Sequence, residues 1–307
     1  MIMKYILFFL LITSTGTLAQ KPTVSAGSIV HIENFKSAFV IPRNIDVWLP
    51  ANYSPKNKYP VLYIHDGQML FDSSFNWNKQ EWRVDETVSS LINSGKIYPC
   101  IVVGIWNTGK SRHIEYCPQK PFESLSASYR DTLVEYARRN NGQSVFSGKV
   151  ISDNYLKFIV TELKPYIDSS FSTLKVPANT YIAGSSMGGL ISLYALCEYP
   201  EVFGNAACIS THWPVIFTTK NNPFPEAIFD YLQKKLPIQK NHRFYFDYGT
   251  GTLDSLYEPY QTRVDAIMNA KGYSIKNWIT VRYPGEHHSE AAWARRLDKV
   301  LSFLFNK

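Results

Sequence analysis

The stretch Tyr181-Ile182-Ala183-Gly184-Ser185-Ser186-Met187-Gly188-Gly189-Leu190 decides the fold. It reads as an apolar strand, a Gly-x-Ser-x-Gly turn, and an apolar helix running from Leu190 through Leu196. A turn this sharp strains the serine backbone, so the residues two before and two after it must be small, and Gly184 and Gly188 meet that need. Ser186 is then displayed above a sheet at a helix N-terminus, where free N–H groups and the helix dipole favour developing negative charge.

Working outward, strand-like and helical segments alternate. Strands are expected at Ser28–Phe35, Arg43–Pro50, Tyr59–His65, Cys100–Ile105, Thr180–Ala183, Phe203–Ile209, Arg243–Tyr248 and Trp278–Tyr283. Helices are expected at Val84–Leu91, Tyr155–Ile167, Asp265–Lys271 and Ala291–Phe305. Alternation of this kind implies an α/β fold, with a mostly parallel central sheet covered by helices on both faces. Reactive groups of such sheets collect at the carboxyl ends of the strands. Tyr116–Lys149 reads as an inserted lid or cleft wall, and Asn221–Leu236, with its prolines, as an irregular insertion.

The 307 residues carry a net charge of +7, spread along the chain rather than gathered in a block, and no nucleic-acid motif accompanies it. Residues 1–19 read as a secretory signal: Lys4, a short apolar run from Tyr5 to Ile12, and a small-residue ending at Ala19. That run is short for a membrane span, so no anchor is expected after cleavage. Residues 20–307 show no composition break or repeat and are expected to form one domain. The four cysteines, Cys100, Cys117, Cys197 and Cys208, match no zinc spacing, and their pairing is open.

An acid and a histidine follow later strands in the order the parallel sheet requires. Gly249-Thr250-Gly251-Thr252-Leu253-Asp254 follows one strand, and Pro284-Gly285-Glu286-His287-His288 follows the last. The chain order Ser186, Asp254, His288 is that of α/β-hydrolases. A serine hydroxyl is barely ionised at neutral pH, so it needs a base, and a carboxylate fixes the tautomer of that base. Asp247 is the rival acid and His287 the rival base. His65 and His212 follow strands and are further candidates for the cleft wall. The loop His65-Asp66-Gly67-Gln68 follows an early strand, where one oxyanion donor belongs. The expected donors are the Met187 and Gln68 backbone N–H groups, with Gly67 the alternative to Gln68.

Four separated motifs together resemble the putative-esterase group of α/β-hydrolases. They are Arg43-x-Ile45-x-Val47-Trp48-Leu49-Pro50, Tyr63-Ile64-His65-Asp66-Gly67-Gln68, Gly184-Ser185-Ser186-Met187-Gly188-Gly189 and His288-Ser289-Glu290-Ala291-Ala292-Trp293. The group includes feruloyl and acetyl-xylan esterases, enterochelin esterases, S-formylglutathione hydrolases and mycolyltransferases. The histidine followed by tryptophan that marks its base maps onto His288 and Trp293, which favours His288 over His287. The match around Asp254 is looser. The resemblance implies an α/β-hydrolase fold and ester cleavage through an acyl-enzyme, with no metal or organic cofactor.

A secretory signal and many loop aromatics point to a small-molecule or polysaccharide ester as substrate. Trp77, Trp106 and Trp213 are the candidate ring platforms. The expected activity is feruloyl or acetyl ester removal from a carbohydrate. Siderophore-ester hydrolysis, acyl transfer, and a catalytically silent glycan-binding fold are the alternatives. Oligomeric state is not legible.

Overall fold

The computed structural model describes residues 21–138 and 142–305, so the expected signal at residues 1–19 lies outside the described residues. Eight strands form one sheet in the order β1-β2-β4-β3-β5-β6-β7-β8. In chain order they are β1 Ser28–Phe35, β2 Arg43–Leu49, β3 Val61–His65, β4 Ile101–Ile105, β5 Thr180–Ser185, β6 Asn205–Ile209, β7 Arg243–Gly249 and β8 Trp278–Tyr283. The strand β2 runs antiparallel to both β1 and β4, and every other pairing is parallel. This is the mostly parallel α/β sheet that the alternation predicts, in the α/β-hydrolase arrangement that the resemblance implies.

The helices are α1 Val84–Asn93, α2 Arg112–Tyr116, α3 Gln119–Ser124, α4 Ala127–Tyr136, α5 Ser152–Phe158, α6 Lys164–Ser170, α7 Met187–Glu198, α8 Phe224–Lys235, α9 Glu258–Ala270 and α10 Glu290–Leu304. Successive strand residues face opposite sides, so two cores form. Leu62, Ile64 and Val102 pack on one face with Val88 of α1 and Leu297 of α10. Val61, Tyr63 and Val103 pack on the other with Leu156 of α5, Leu190 of α7 and Ile228 of α8. Because α7 lies across the centre of the sheet, eleven of its twelve residues are buried, which is why its sequence is apolar all round.

Two local expectations are corrected. Residues 224–235 are not irregular but form α8, whose Pro225 lies in the first turn, where a missing N–H costs nothing. The helix before β5 is interrupted by a π turn at Ile159–Leu163. The π turn closes at Leu163, and Pro165 follows within the first turn of α6. In the segment after Tyr116, Phe122, Leu133, Val145 and Phe146 are buried in the core. Among the described residues no helix is long and apolar enough to cross a membrane. All four cysteines are buried and unpaired, and burial pushes the Cys100 thiol up to about 12.

Candidate active site

The parallel strands deliver their loops to one end of the sheet. Ser186 follows β5, with φ 58° and ψ −122°, so this non-glycine residue carries real backbone strain. Its N–H donates to the Ile209 carbonyl at 2.9 Å, and its own carbonyl accepts the His212 N–H at 3.1 Å, which tie the strained turn to β6. A Cβ on Gly184 would lie 2.6 Å from the backbone of Gly188, so the strand and the first turn of α7 can cross only without a side chain there. The N–H of Met187 opens α7 and has no acceptor within the helix.

Asp254 lies in the loop after β7, in a short turn at Thr252–Leu256, and is fully buried. Its Oδ1 meets Nδ1 of His288 at 2.5 Å. Its Oδ2 accepts the Gly249 N–H at 2.6 Å and the Ser210 hydroxyl at 2.5 Å. Burial alone would raise this carboxyl, but the hydrogen bond and charge of His288, with the Ser210 and Gly249 donors, hold it below the usual carboxylate value. The His288 N–H is held by Thr252 at 2.8 Å, and its ring meets the Trp293 indole edge-on, with centroids 5.0 Å apart. The two rivals lie elsewhere. Asp247 points inside the fold and is paired with Arg296 at 2.7 Å, and His287 is exposed.

Gln68 sits in a tight turn at Gly67–Met69, after β3. The bonds of that turn use the N–H groups of Met69 and Leu70, at 2.9 and 3.3 Å, and leave the Gln68 N–H out. The turn is pinned from two sides. The Gln68 Oε1 accepts the Asn107 N–H at 3.2 Å. Asp66, at φ 59°, accepts two bonds from Arg112 at 2.7 Å and one from Asn107 at 2.8 Å. Burial would raise the Asp66 carboxyl, and these partners hold it lowered.

A second hydrogen-bonded pair lies beside Ser186, and sequence reasoning missed half of it. The Tyr257 hydroxyl and Nδ1 of His212 are 2.8 Å apart, and both residues are buried. Burial and the Asp254 charge push the Tyr257 phenol well above its ordinary value, against a hydrogen bond with Ser186. Burial, with the neighbouring His288, lowers His212 well below the ordinary histidine value, so it is neutral. His212 thus reaches the cleft by backing Tyr257. His65 is turned inward onto the Tyr155 hydroxyl at 2.8 Å.

The three tryptophans part company. Trp77 is 88% exposed, on a loop joined to α10 by Asn78 to Glu290 at 2.8 Å and by Gln80 to the Ala291 N–H at 3.1 Å. Trp106 is half-buried, with its N–H bonded to Asp46 and its ring edge-on to His31 at 5.7 Å, toward β1 and β2. Trp213 is fully buried in the core and tilted against Phe246, so it offers no face to a substrate; this corrects the expectation. Ser210 and Arg296 were not read from the sequence either. The one signal for them is position: Ser210 ends β6 as Ser186 ends β5, and Arg296 lies two turns beyond His288. Among the described residues no cluster of His, Cys, Asp or Glu has the spacing of a metal site.

A sequence profile of the family described as Putative esterase matches residues 38–304. The uncharacterized protein YbbA of Bacillus subtilis (strain 168) is 27% identical over 173 residues, covering 56% of this chain and 58% of that protein. An endo-1,4-beta-xylanase/feruloyl esterase of Xylanibacter ruminicola is 24% identical over 296 residues, covering 94% of this chain and 32% of that protein. The chain therefore spans little more than half the length of the first relative and about a third of the second. A solved ferulic acid esterase superposes with a TM-score of 0.63 at 17% identity, covering 91% of this chain and 98% of that one, a likeness of fold.

Proposed function

The chain belongs to the Putative esterase family, and from that premise we propose that it is an exported serine esterase acting on carbohydrate-linked esters. Its preferred reaction is removal of feruloyl or acetyl groups. The observation that carries the reading is the 2.5 Å contact between Asp254 and His288, in a chain whose Ser186 is strained into the left-handed half of backbone space.

The chemistry follows from these groups. Ser186 Oγ attacks the ester carbonyl carbon while Nε2 of His288 takes the hydroxyl proton. Asp254 stabilises the imidazolium so formed. The Met187 and Gln68 N–H groups face the oxyanion, and two such donors stabilise a tetrahedral intermediate by several kcal/mol. His288 then returns its proton to the departing alkoxide, leaving an acyl-enzyme. Water, deprotonated by the same nitrogen, adds to the acyl carbon, and the acid leaves with Ser186 restored.

Two features support an aromatic or sugar ester over other esters. The exposed Trp77 indole stands on the loop that bonds the start of α10, next to His288. The relative that the chain matches over 94% of its length has feruloyl esterase in its name. The test is turnover of 4-nitrophenyl acetate and methyl ferulate by the full chain beside Ser186→Ala. Loss of turnover to background in the variant is expected, and turnover that survives the substitution overturns the assignment. Methyl ferulate cleavage supports the feruloyl branch. Its absence with retained cleavage of acetylated xylan supports the acetyl branch, and cleavage of a catecholate siderophore ester in place of both overturns the carbohydrate reading.

A further inference from the structure

Ser210, Arg296 and Asp247 lie behind the Asp254 carboxylate, and all four residues are buried. The Ser210 oxygen receives the Trp293 indole N–H at 3.0 Å and an Nη2 proton of Arg296 at 2.7 Å. Both partners can only donate, and a hydroxyl oxygen has two lone pairs. The single Ser210 proton is therefore committed, and it goes to Asp254 Oδ2 at 2.5 Å. With the Gly249 N–H also on that oxygen, Oδ2 is filled by two donors. An ionised Asp254 then turns Oδ1 to His288, whose Nδ1 must carry the hydrogen of that bond. The proton inventory thus selects one imidazole tautomer and leaves Nε2 with its lone pair free.

Charge is balanced by the same residues. Arg296 Nη2 stands 3.9 Å from Asp254 Oδ2. Left alone, that cation would compete with His288 for the Asp254 charge. Asp247 engages it through two bonds, Nη2 to Oδ1 at 2.7 Å and Nε to Oδ2 at 3.1 Å, and also accepts the Ser210 N–H at 3.1 Å. We propose that Ser210, Arg296 and Asp247 are positioning residues. Ser210 fixes the Asp254 carboxylate and the His288 tautomer, while Asp247 neutralises Arg296 so that the Asp254 charge serves the imidazolium. This rests on the serine-esterase reading above.

The groups facing His288 are Asp254 from the loop after β7, Tyr257 at the start of α9, His212 after β6, and Trp293 from α10, with Arg296 behind Asp254. Asp247→Asn removes a negative charge from this set and releases Arg296 toward Asp254. The imidazolium then becomes harder to form, so the acid limb of kcat/KM for 4-nitrophenyl acetate moves down by about half a pH unit or more. Ser210→Ala lowers kcat about 10- to 100-fold at unchanged KM, as expected for one lost charge-assisted hydrogen bond. It also weakens the downfield proton NMR signal of the His288 Nδ1–H. An unmoved acid limb, or a downfield signal that persists in folded Ser210→Ala with activity lost only in proportion to unfolding, overturns the proposal. If Asp247→Asn does not fold, the NMR signal of Ser210→Ala decides alone. Ser186→Ala separates the two claims: its inactivity with an unmoved acid limb in Asp247→Asn rejects the positioning role and keeps the esterase reading. Full activity in Ser186→Ala rejects the esterase reading whatever the other variants do.

Discussion

Trp77 and Trp213 carry the same indole in opposite settings, one 88% exposed and the other wholly buried. Replacing Trp213 with alanine opens a cavity in the core and is expected to cost about 3–5 kcal/mol of stability, read as a lowered denaturation midpoint. Replacing Trp77 with alanine leaves stability within about 0.5 kcal/mol. On the proposed activity, Trp77→Ala raises KM for methyl ferulate while sparing 4-nitrophenyl acetate; equal effects on both esters would exclude an aromatic platform. The two residues were indistinguishable in the sequence because each follows a strand or its loop, and nothing local records which way the chain then turns. The loop that carries Trp213 opens at Ser210 with φ 43°, and Trp213, three residues on, is buried in the core. Ser186 was legible for the opposite reason. Its strain is written into the glycines around it, whereas Ser210 has no such flank and takes its conformation from tertiary bonds to Asp247 and Asp254.

At the scale of elements, the helix that carries Trp293 and Arg296 also fixes the approach of His288. Ser289 caps α10 by accepting the Ala292 N–H at 3.3 Å, one residue after His288. Ser289→Ala is expected to cost about 1 kcal/mol, the usual worth of such a cap. Because the cap sets where the preceding loop enters the helix, kcat of the proposed esterase should fall more than KM rises. A stability loss with unchanged kcat would show that the Thr252 and Asp254 bonds hold His288 by themselves. Strands were read from the sequence more closely than helices, and the reason is physical. Both faces of the central strands are buried, so they appear as unbroken apolar runs. The misread helix α8 begins with Pro223 and Pro225, residues that also mark loops, and only its amphipathic spacing of Ile228, Tyr231 and Leu232 argued the other way. The first two turns of α9 were missed because Glu258, Pro259 and Thr262 carry little apolar period.

Over the whole molecule, the price of gathering polar groups at one sheet end is burial of groups that prefer to titrate, and this sets a pH dependence of stability. Burial lowers His65 from 6.5 to about 3, and His212 is lowered well below 6.5 for the same reason. Above pH 6.5 both are neutral whether the chain is folded or not, and they contribute no slope. Between 6.5 and about 3 the unfolded chain takes up a proton at His65 that the native fold refuses, and His212 adds to this in the same direction. Each such proton costs the fold about 1.4 kcal/mol per pH unit. Asp247 acts with the opposite sign, since burial raises it from 3.8 to about 6 against the pull of Arg296. In that interval the native state holds a proton that the unfolded chain lacks, which offsets one histidine. Asp46, Asp153 and Asp265 are raised by burial as well and act with the sign of Asp247, so the histidine share is read by difference: relative to His65→Gln, the chain should lose about 1.4 kcal/mol of urea-unfolding free energy per unit of acidification between pH 6 and 4. Below pH 4 the depressed Asp66 and Asp254 add their own loss as they are protonated. A difference between the two chains that stays flat from pH 6 to 4 would mean that His65 takes up its proton within the native fold.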